Sequence, residues 1–389
     1  MNIFFVHTSS FKDCGGIGRV TEINALSFKK YGYNIHFFIL KEGETDNCHG
    51  FTQFYLKNDD LTSSINKNYF REKLIEFEVD IIINQSGINV NSLGFIVNSK
   101  TKNLKIITCY HGAIKSIYDN YGRVLRGNMT NRFLKGLVDV EFVKNIFRLN
   151  YKRKMKRDLK FSIDNSHRFI FLSEGYVLEL ELYNLSYLKS KVDYVHNQIK
   201  YDGFVKTGAI KKDNLLYVGR INFSEKQCDL LPLIWDRISR KYPNLSLKII
   251  GDGDRLLELK NIFKTNDAIG VEYLGYTNPF PHYEEASILL LTSAIEGFGL
   301  VLTEALNYGV VPIAFNVSSG VREALMQGKS GVLVNPFDLD EYVTKLEELI
   351  LDKNVRMEFL RNHNESNPSE KNKLILEKWS HIFSQIKKS

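Results

Sequence analysis

The chain has 389 residues, 43% of them hydrophobic and 25% charged, which is normal for a globular protein, and no low-complexity segment or short-period repeat is visible. Its length exceeds one ordinary domain of roughly 100–200 residues and points to two. The formal net charge of +7 is uneven: residues 1–200 carry 29 Lys/Arg against 20 Asp/Glu, and residues 100–160 carry 16 against 4, so the basic half is expected to meet an anionic partner.

The first apolar run, Asn2–His7, has no basic region before it and no small-residue cleavage site after it. It reads as a buried strand, not a secretory leader. No run of about 18 apolar residues follows anywhere, so no transmembrane helix is expected and the cytoplasm is the simplest compartment. The turn Cys14-Gly15-Gly16-Ile17-Gly18-Arg19 then opens a helix ending near Gly32. Strands are expected at Asn34–Leu40, Phe51–Leu56, Asp80–Gln85, Lys105–Tyr110, His167–Leu172 and Lys191–Val195. Several are apolar throughout, as strands covered on both faces must be. The four cysteines, Cys14, Cys48, Cys109 and Cys228, lack metal or redox spacing.

Between Lys105–Tyr110 and His167–Leu172 lies a basic stretch, 138–161, with Lys144, Arg148, Lys152, Arg153, Lys154, Lys156, Arg157 and Lys160. Val140, Val143, Phe147, Met155 and Leu159 fall near one helical stripe, so a basic amphipathic helix is expected, able to dock on an anionic inner-membrane surface. Nucleic acid fits less well, since no recognition module is present.

Tyr201–Lys212 has no strong period and reads as an interdomain linker. A second strand series follows at Leu215–Gly219, Leu247–Gly251, Val271–Leu274, Ile288–Thr292, Val311–Phe315 and Gly331–Val334, with helices at Leu230–Tyr242, Asp254–Phe263 and Leu300–Tyr308. Alternating strands and helices in both halves predict an α/β protein with two Rossmann-like domains, 1–200 and 201–368, facing one cleft. Residues 369–389 form a last helix that packs back toward the first domain, with Leu374, Ile375, Trp379 and Ile382 on one stripe.

Three motifs could carry chemistry. In Glu296-Gly297-Phe298-Gly299-Leu300-Val301-Leu302-Thr303-Glu304, two glycines let backbone approach a ligand, and a helix starting near Leu300 aims its first amides at an anion. A glycosidase pair needs carboxyls about 5 Å apart. Eight helical residues span roughly 12 Å, so two contacts on one long ligand fit better. The second motif is Tyr217-Val218-Gly219-Arg220 followed by Lys226: two cations at a strand's carboxyl end, where open α/β sheets bind ligands. The third is the Gly15–Gly18 turn. The strand after it reads Phe38-Ile39-Leu40-Lys41, with no acidic residue at its end, which argues against a nicotinamide site. His111 ends the strand Lys105–Tyr110 and faces the expected cleft.

With these motifs the chain resembles the family 4 retaining glycosyltransferases of GT-B fold, most strongly from Leu215 to Val334. The resemblance implies that Glu296 contacts the donor sugar and Glu304 the ribose, while Arg220 and Lys226 hold the diphosphate. It implies that Gly16 approaches the donor phosphate through its amide, that His111 contacts the sugar, and that Tyr276 and Thr277 line the base pocket. Gly219, Phe298, Gly299 and Leu300 would complete the donor site. The implied reaction moves a hexose or N-acetylhexosamine from a nucleoside-diphosphate sugar, with UDP as the expected nucleotide, to a sugar acceptor, lipid-linked as expected for surface-polysaccharide synthesis. No cofactor and no metal would be needed. Asp252-Gly253-Asp254 matches a metal-binding pattern of another glycosyltransferase fold, but Asp254 reads as a helix cap. Glu323 reads as a capping or structural residue and Asp338 as a helix start. The rivals are a non-catalytic scaffold subunit of a polysaccharide assembly and an NAD-dependent oxidoreductase.

Overall fold

A computed structural model describes residues 1–9, 15–129, 140–199, 211 and 214–388. The chain forms two compact units: Met1–His111 with Lys152–Ile199 and the segment from Glu370, and Gly112–Tyr151 with Lys200–Ser369. The expected linker thus falls outside the described residues except for Lys211.

The first unit holds an eight-stranded sheet. Its strands are β1 (Asn2–His7), β2 (Asn34–Glu42), β3 (Asp46–Cys48), β4 (Phe51–Leu56), β5 (Ile81–Asn84), β6 (Lys105–Cys109), β7 (Arg168–Phe171) and β8 (Val192–Tyr194). The order is β3-β4-β2-β1-β5-β6-β7-β8. Only β3 is antiparallel. It was not expected, because Asp46-Asn47-Cys48 is short and polar; the signal was the turn His49-Gly50, where both φ are positive (54° and 80°), as a tight hairpin prefers. The second strand also runs further than expected, through Lys41 to Glu42. An acidic residue therefore does end it, and that ground for excluding a nicotinamide site is withdrawn. Glu42 is exposed, and its amide donates to Asp59 Oδ1 at 2.8 Å.

The pleat sorts the first strand's side chains to two cores. Ile3 and Phe5 join Phe28, Phe37, Trp379, Ile382, Phe383 and Ile386 on one face. Phe4 and Val6 join Phe38, Phe70, Leu74 and Leu93 on the other. The C-terminal helix, Pro368–Lys388, is thus part of this unit's core. Its buried stripe is Trp379, Ile382, Phe383 and Ile386, whereas Leu374 is 57% exposed and lies off the stripe.

The second unit holds a six-stranded parallel sheet: β9 (Asn214–Val218), β10 (Ser246–Ile250), β11 (Val271–Gly275), β12 (Ile288–Leu291), β13 (Val311–Phe315) and β14 (Val332–Val334), in the order β11-β10-β9-β12-β13-β14. Strand order reverses between β9 and β12, as it does between β1 and β5 in the first sheet. Each unit is built on a doubly wound, mainly parallel sheet, so the chain has the two parallel-sheet domains of the GT-B fold. At such a reversal the connections leave in opposite directions and open a crevice at the strands' carboxyl ends.

Residues 112–151 interrupt the first unit's sequence yet group with the second. Their hydrogen bonds explain why. Ser116 Oγ and Asn120 Nδ2 both donate to the Ala294 carbonyl, at 3.1 and 2.8 Å. Arg255 Nη2 donates to the Gly127 carbonyl at 3.2 Å. Gly127 packs so closely on Phe223 that a Cβ would stand 2.1 Å from the Phe223 carbonyl oxygen.

The basic helix runs Glu141–Asp164. The expected continuous apolar stripe is absent: Met155 and Leu159 are buried, but Val140 and Phe147 are exposed. Its first half instead exposes Phe142 (73%), Ile146 (46%) and Leu149 (48%).

Candidate active site

Sheet reversal brings the loops after β9 and β12 together in the second unit. Gly219 N donates to the Ile250 carbonyl at 3.0 Å, and the chain then turns sharply. The turn is fixed from inside: Tyr217 Oη donates to the Arg220 carbonyl at 3.1 Å and lies 3.0 Å from Cys228 Sγ. Burial pushes the Cys228 thiol up to about 11, so it stays protonated. Asn222 Oδ1 accepts from the amides of Glu225 and Lys226 at 3.0 and 2.9 Å, which folds the loop into an Asx-type turn. The Glu225 carbonyl then accepts from Ala294 N at 2.7 Å, and Thr292 Oγ1 donates to the Lys226 carbonyl at 2.9 Å. Backbone of one loop is thereby stitched to the other. A 3₁₀ turn begins two residues after Lys226, at Cys228, and leads into the helix Leu231–Ser239.

The stitching sets Lys226 Nζ 2.6 Å from Glu296 Oε2. Ser293 Oγ adds a contact to the same oxygen at 3.3 Å, and Ser318 Oγ donates to the Glu296 carbonyl at 2.7 Å. Both charged side chains keep some exposure, 23% and 14%, so the pair is reachable from solvent. Arg220 is exposed at the end of β9, on the same loop.

Gly299 enters the next helix, Leu300–Asn307, with φ +77°, a conformation L residues disfavour. Its N-cap is a glycine, which has no side chain to accept from the first-turn amides. Its Glu304 is buried, and Tyr283 Oη donates to Glu304 Oε2 at 3.3 Å. Phe298 is buried, while Tyr276 is 81% exposed and Thr277 is exposed just past β11. Two close backbone approaches hold the β9 and β10 ends together: a Cβ on Gly251 would lie 1.9 Å from the Gly219 carbonyl oxygen, and one on Gly253 2.2 Å from that of Ile221.

Neighbouring assignments need correction. Asp254 does not cap the helix Leu256–Thr265; its N-cap is Arg255, with no side-chain cap bond. Glu323 does not cap Ser319–Ala324, because Ser318 does, accepting from Val321 N at 3.2 Å. Asp338 does cap Leu339–Leu351, accepting from Glu341 N at 2.9 Å.

In the first unit the carboxyl ends of β1, β5 and β6 gather His7, Gln85 and His111. His111 Nε2 donates to Gln85 Oε1 at 2.5 Å. Burial lowers the His111 imidazole to about 4, and burial with the neighbouring His111 lowers His7 to about 3. Both rings are therefore neutral near pH 7. Gly16 is exposed in the first turn of the helix Gly15–Lys30.

Sequence reasoning missed Asn222, Tyr283, Ser293 and Ser318. Asn222 and Ser293 lie within four residues of Lys226 and Glu296, whereas Tyr283 and Ser318 reach their partners from 21 and 22 positions away.

Residues 204–366 match the family described as glycosyl transferases group 1. An uncharacterized glycosyltransferase of Haemophilus influenzae is 27% identical over 351 residues, spanning 86% of this chain and 87% of its own length. The GalNAc-α-(1→4)-GalNAc-α-(1→3)-diNAcBac-PP-undecaprenol α-1,4-N-acetyl-D-galactosaminyltransferase of Campylobacter jejuni is 29% identical over 181 residues, 46% of this chain and 50% of its own length. Among solved structures, Anabaena HepE in complex with UDP and glucose is similar at a TM-score of 0.73, covering 99% of this chain and 100% of its own, at 14% identity.

Proposed function

Because the chain is a group 1 glycosyltransferase of the GT-B fold, we propose that its second unit binds a nucleoside-diphosphate sugar, with UDP as the nucleotide. It would transfer the hexose or N-acetylhexosamine, with retention at the anomeric carbon, to a sugar acceptor, lipid-linked, in surface-polysaccharide synthesis. The observation that carries this reading is the Lys226–Glu296 pair at the sheet reversal, with Glu304 one helix turn further on. Two glutamates and two cations in the same part of one unit suit a long ligand with hydroxyls at both ends and negative charge in its middle.

In the proposed step the bond between the anomeric carbon and the β-phosphate oxygen breaks. Its electron pair leaves with the nucleoside diphosphate. The acceptor oxygen bonds to the anomeric carbon, and its proton passes to the departing phosphate oxygen. Lys226, Arg220 and the amides at Leu300 would stabilise the charge that builds up there, each charge-assisted contact giving roughly 1.5–3 kcal/mol. Lys226 would exchange its ion pair with Glu296 for the phosphate, freeing the carboxylate for the sugar hydroxyls. Gly16 and His111 are assigned to the donor by family resemblance. His111, neutral and donating to Gln85, suits a positioning role better than that of an acid.

The test is nucleotide release from UDP-hexoses and UDP-N-acetylhexosamines by the wild type, Lys226→Ala and Glu296→Gln. Loss of release by more than about a hundredfold, with melting unchanged, supports the assignment; full activity in Lys226→Ala defeats it. A scaffold subunit would release nothing in any form. Binding of NADH but no nucleotide sugar would revive the oxidoreductase.

Membrane docking of the basic helix also belongs to the proposal. Exposed Phe142, Ile146 and Leu149 beside exposed Arg153, Lys154 and Lys156 support it. Near an anionic leaflet each basic residue adds about 1 kcal/mol. Equal co-sedimentation with neutral and anionic vesicles would count against it. No helix among the described residues is long and apolar enough to cross a membrane.

A further inference from the structure

We propose that a cavity of about 530 Å³ in the second unit binds a phosphoryl or pyrophosphoryl group carried by the acceptor. This rests on the glycosyl-transfer reading above and adds a second anion site to it.

Four cations line the cavity, Arg123, Arg126, Lys144 and Arg148, facing two carboxylates, Asp119 and Asp229. Its walls are the helix Tyr121–Asn128, the start of Glu141–Asp164, the 3₁₀ turn Cys228–Leu230 and the segment after β14. Arg220, Lys226, Glu296 and Glu304 are not part of the wall, so the donor reading does not account for it.

Three of the cations are held in place. The Arg123 guanidinium stacks on the Phe337 ring, 3.8 Å from its centroid. Arg148 Nη2 donates to the Asp119 carbonyl at 3.3 Å, and Nη1 reaches Glu141 Oε1 at 3.3 Å. Arg148 Nε is buried without a hydrogen-bond partner. Lys144 Nζ lies 3.5 Å from Glu141 Oε2. Burial and the charge of Arg126 both disfavour the charged form of Arg123, which Asp229 only partly offsets. An anion between these groups would relieve that repulsion. Guanidinium forks match phosphate oxygens bidentately, which selects phosphate over a neutral sugar. The volume exceeds what one phosphate fills and lies within the range of small-molecule sites.

The phosphate could sit on a polyprenyl chain or on a soluble sugar. On the helix that supplies Lys144 and Arg148, the opposite side exposes Phe142, Ile146 and Leu149, which favours the polyprenyl source.

The experiment titrates inorganic pyrophosphate into the full chain saturated with UDP. Arg123→Gln/Arg126→Gln should weaken pyrophosphate at least tenfold. Lys264→Gln/Lys353→Gln, exposed and outside the cavity, should change it less than twofold, and neither should change UDP affinity. Should the first variant misfold, Asp229→Asn provides the check, since loss of a facing carboxylate should tighten pyrophosphate several-fold. Unchanged pyrophosphate affinity in the cavity variant, equal weakening in both double variants, or parallel loss of UDP would overturn the proposal, as would Asp229→Asn binding no tighter. Farnesyl diphosphate displacing pyrophosphate better than glucose 1-phosphate assigns the lipid source, and the reverse order the soluble one. Displacement by neither overturns it. Hydrolysis of UDP-sugar by the cavity variant reports on the donor site alone, so failure here leaves the transfer reading separately measurable.

Discussion

Lys226 and Glu296 stand 70 positions apart and meet at 2.6 Å because β9 and β12 are neighbours at the reversal of one sheet. The pair is partly exposed, so it contributes little to stability, in the range of about 0–1 kcal/mol. Its weight is functional. Lys226→Met should lower kcat by more than about a hundredfold while the melting midpoint shifts by no more than a few degrees. Steady-state kinetics beside calorimetry checks both, and a large fall in melting would recast the pair as structural.

Tyr283 and Glu304 make a second such pair, buried instead of open. Tyr283→Phe removes one hydrogen bond to the carboxylate, worth about 0.5–1.5 kcal/mol. Nucleotide affinity should weaken roughly three- to tenfold, and Glu304→Gln should weaken it further. Fluorescence titration with UDP separates the two; tighter binding in Tyr283→Phe would contradict the arrangement.

The buried histidines of the first unit predict an acid-sensitive fold. Unfolded histidine takes a proton near 6.5, whereas His111 resists to about 4 and His7 to about 3. Their contribution is therefore complete above pH 6.5 and shrinks as pH falls below it. For fully buried His7 the loss approaches about 1.4 kcal/mol per pH unit. Urea unfolding at pH 7.5 and 5.5 should show it, and His7→Gln should flatten the slope.

The C-terminal helix should carry much of the first unit's stability. Phe383 packs edge-on against Phe28, with centroids 5.3 Å apart, and beside Trp379 at 5.6 Å. Phe383→Ala should cost about 3–5 kcal/mol. Leu374→Ala, on the exposed side, should cost less than about 0.5 kcal/mol. Denaturant midpoints would test the contrast.

Gly127→Ala tests why 112–151 belongs with the second unit. The added methyl would collide with the Phe223 carbonyl at 2.1 Å, so the helix Tyr121–Asn128 must shift. Proteolysis within 112–151 should accelerate severalfold, with no loss of secondary structure elsewhere by circular dichroism.

Strands buried on both faces are apolar runs, and these were readable: Asn2–His7, Phe51–Leu56 and Val311–Phe315 end where the runs end. The short polar β3 carried no such run. That Arg220 and Lys226 follow β9 and Glu296 follows β12 was legible, because apolar strands and glycines mark those loops. Tyr283 and Ser318 were not, because an ordinary Tyr or Ser gains its role only from a fold that brings remote positions together. The helix 141–164 misled for a related reason. Periodicity assumes one burying face along a helix, but residues to Tyr151 group with one unit and those from Lys152 with the other.

The first unit is assembled from three stretches of chain, the last beginning at Glu370. A ribosome emits that stretch only after the whole second unit has been made. The first unit's core is thus closed only after the second unit is made, with Phe28 and Phe5 waiting uncovered for Trp379 and Phe383. Vectorial synthesis ordinarily completes N-terminal domains first; here the order of completion is inverted, and a message truncated before codon 370 would yield a product with its leading core open.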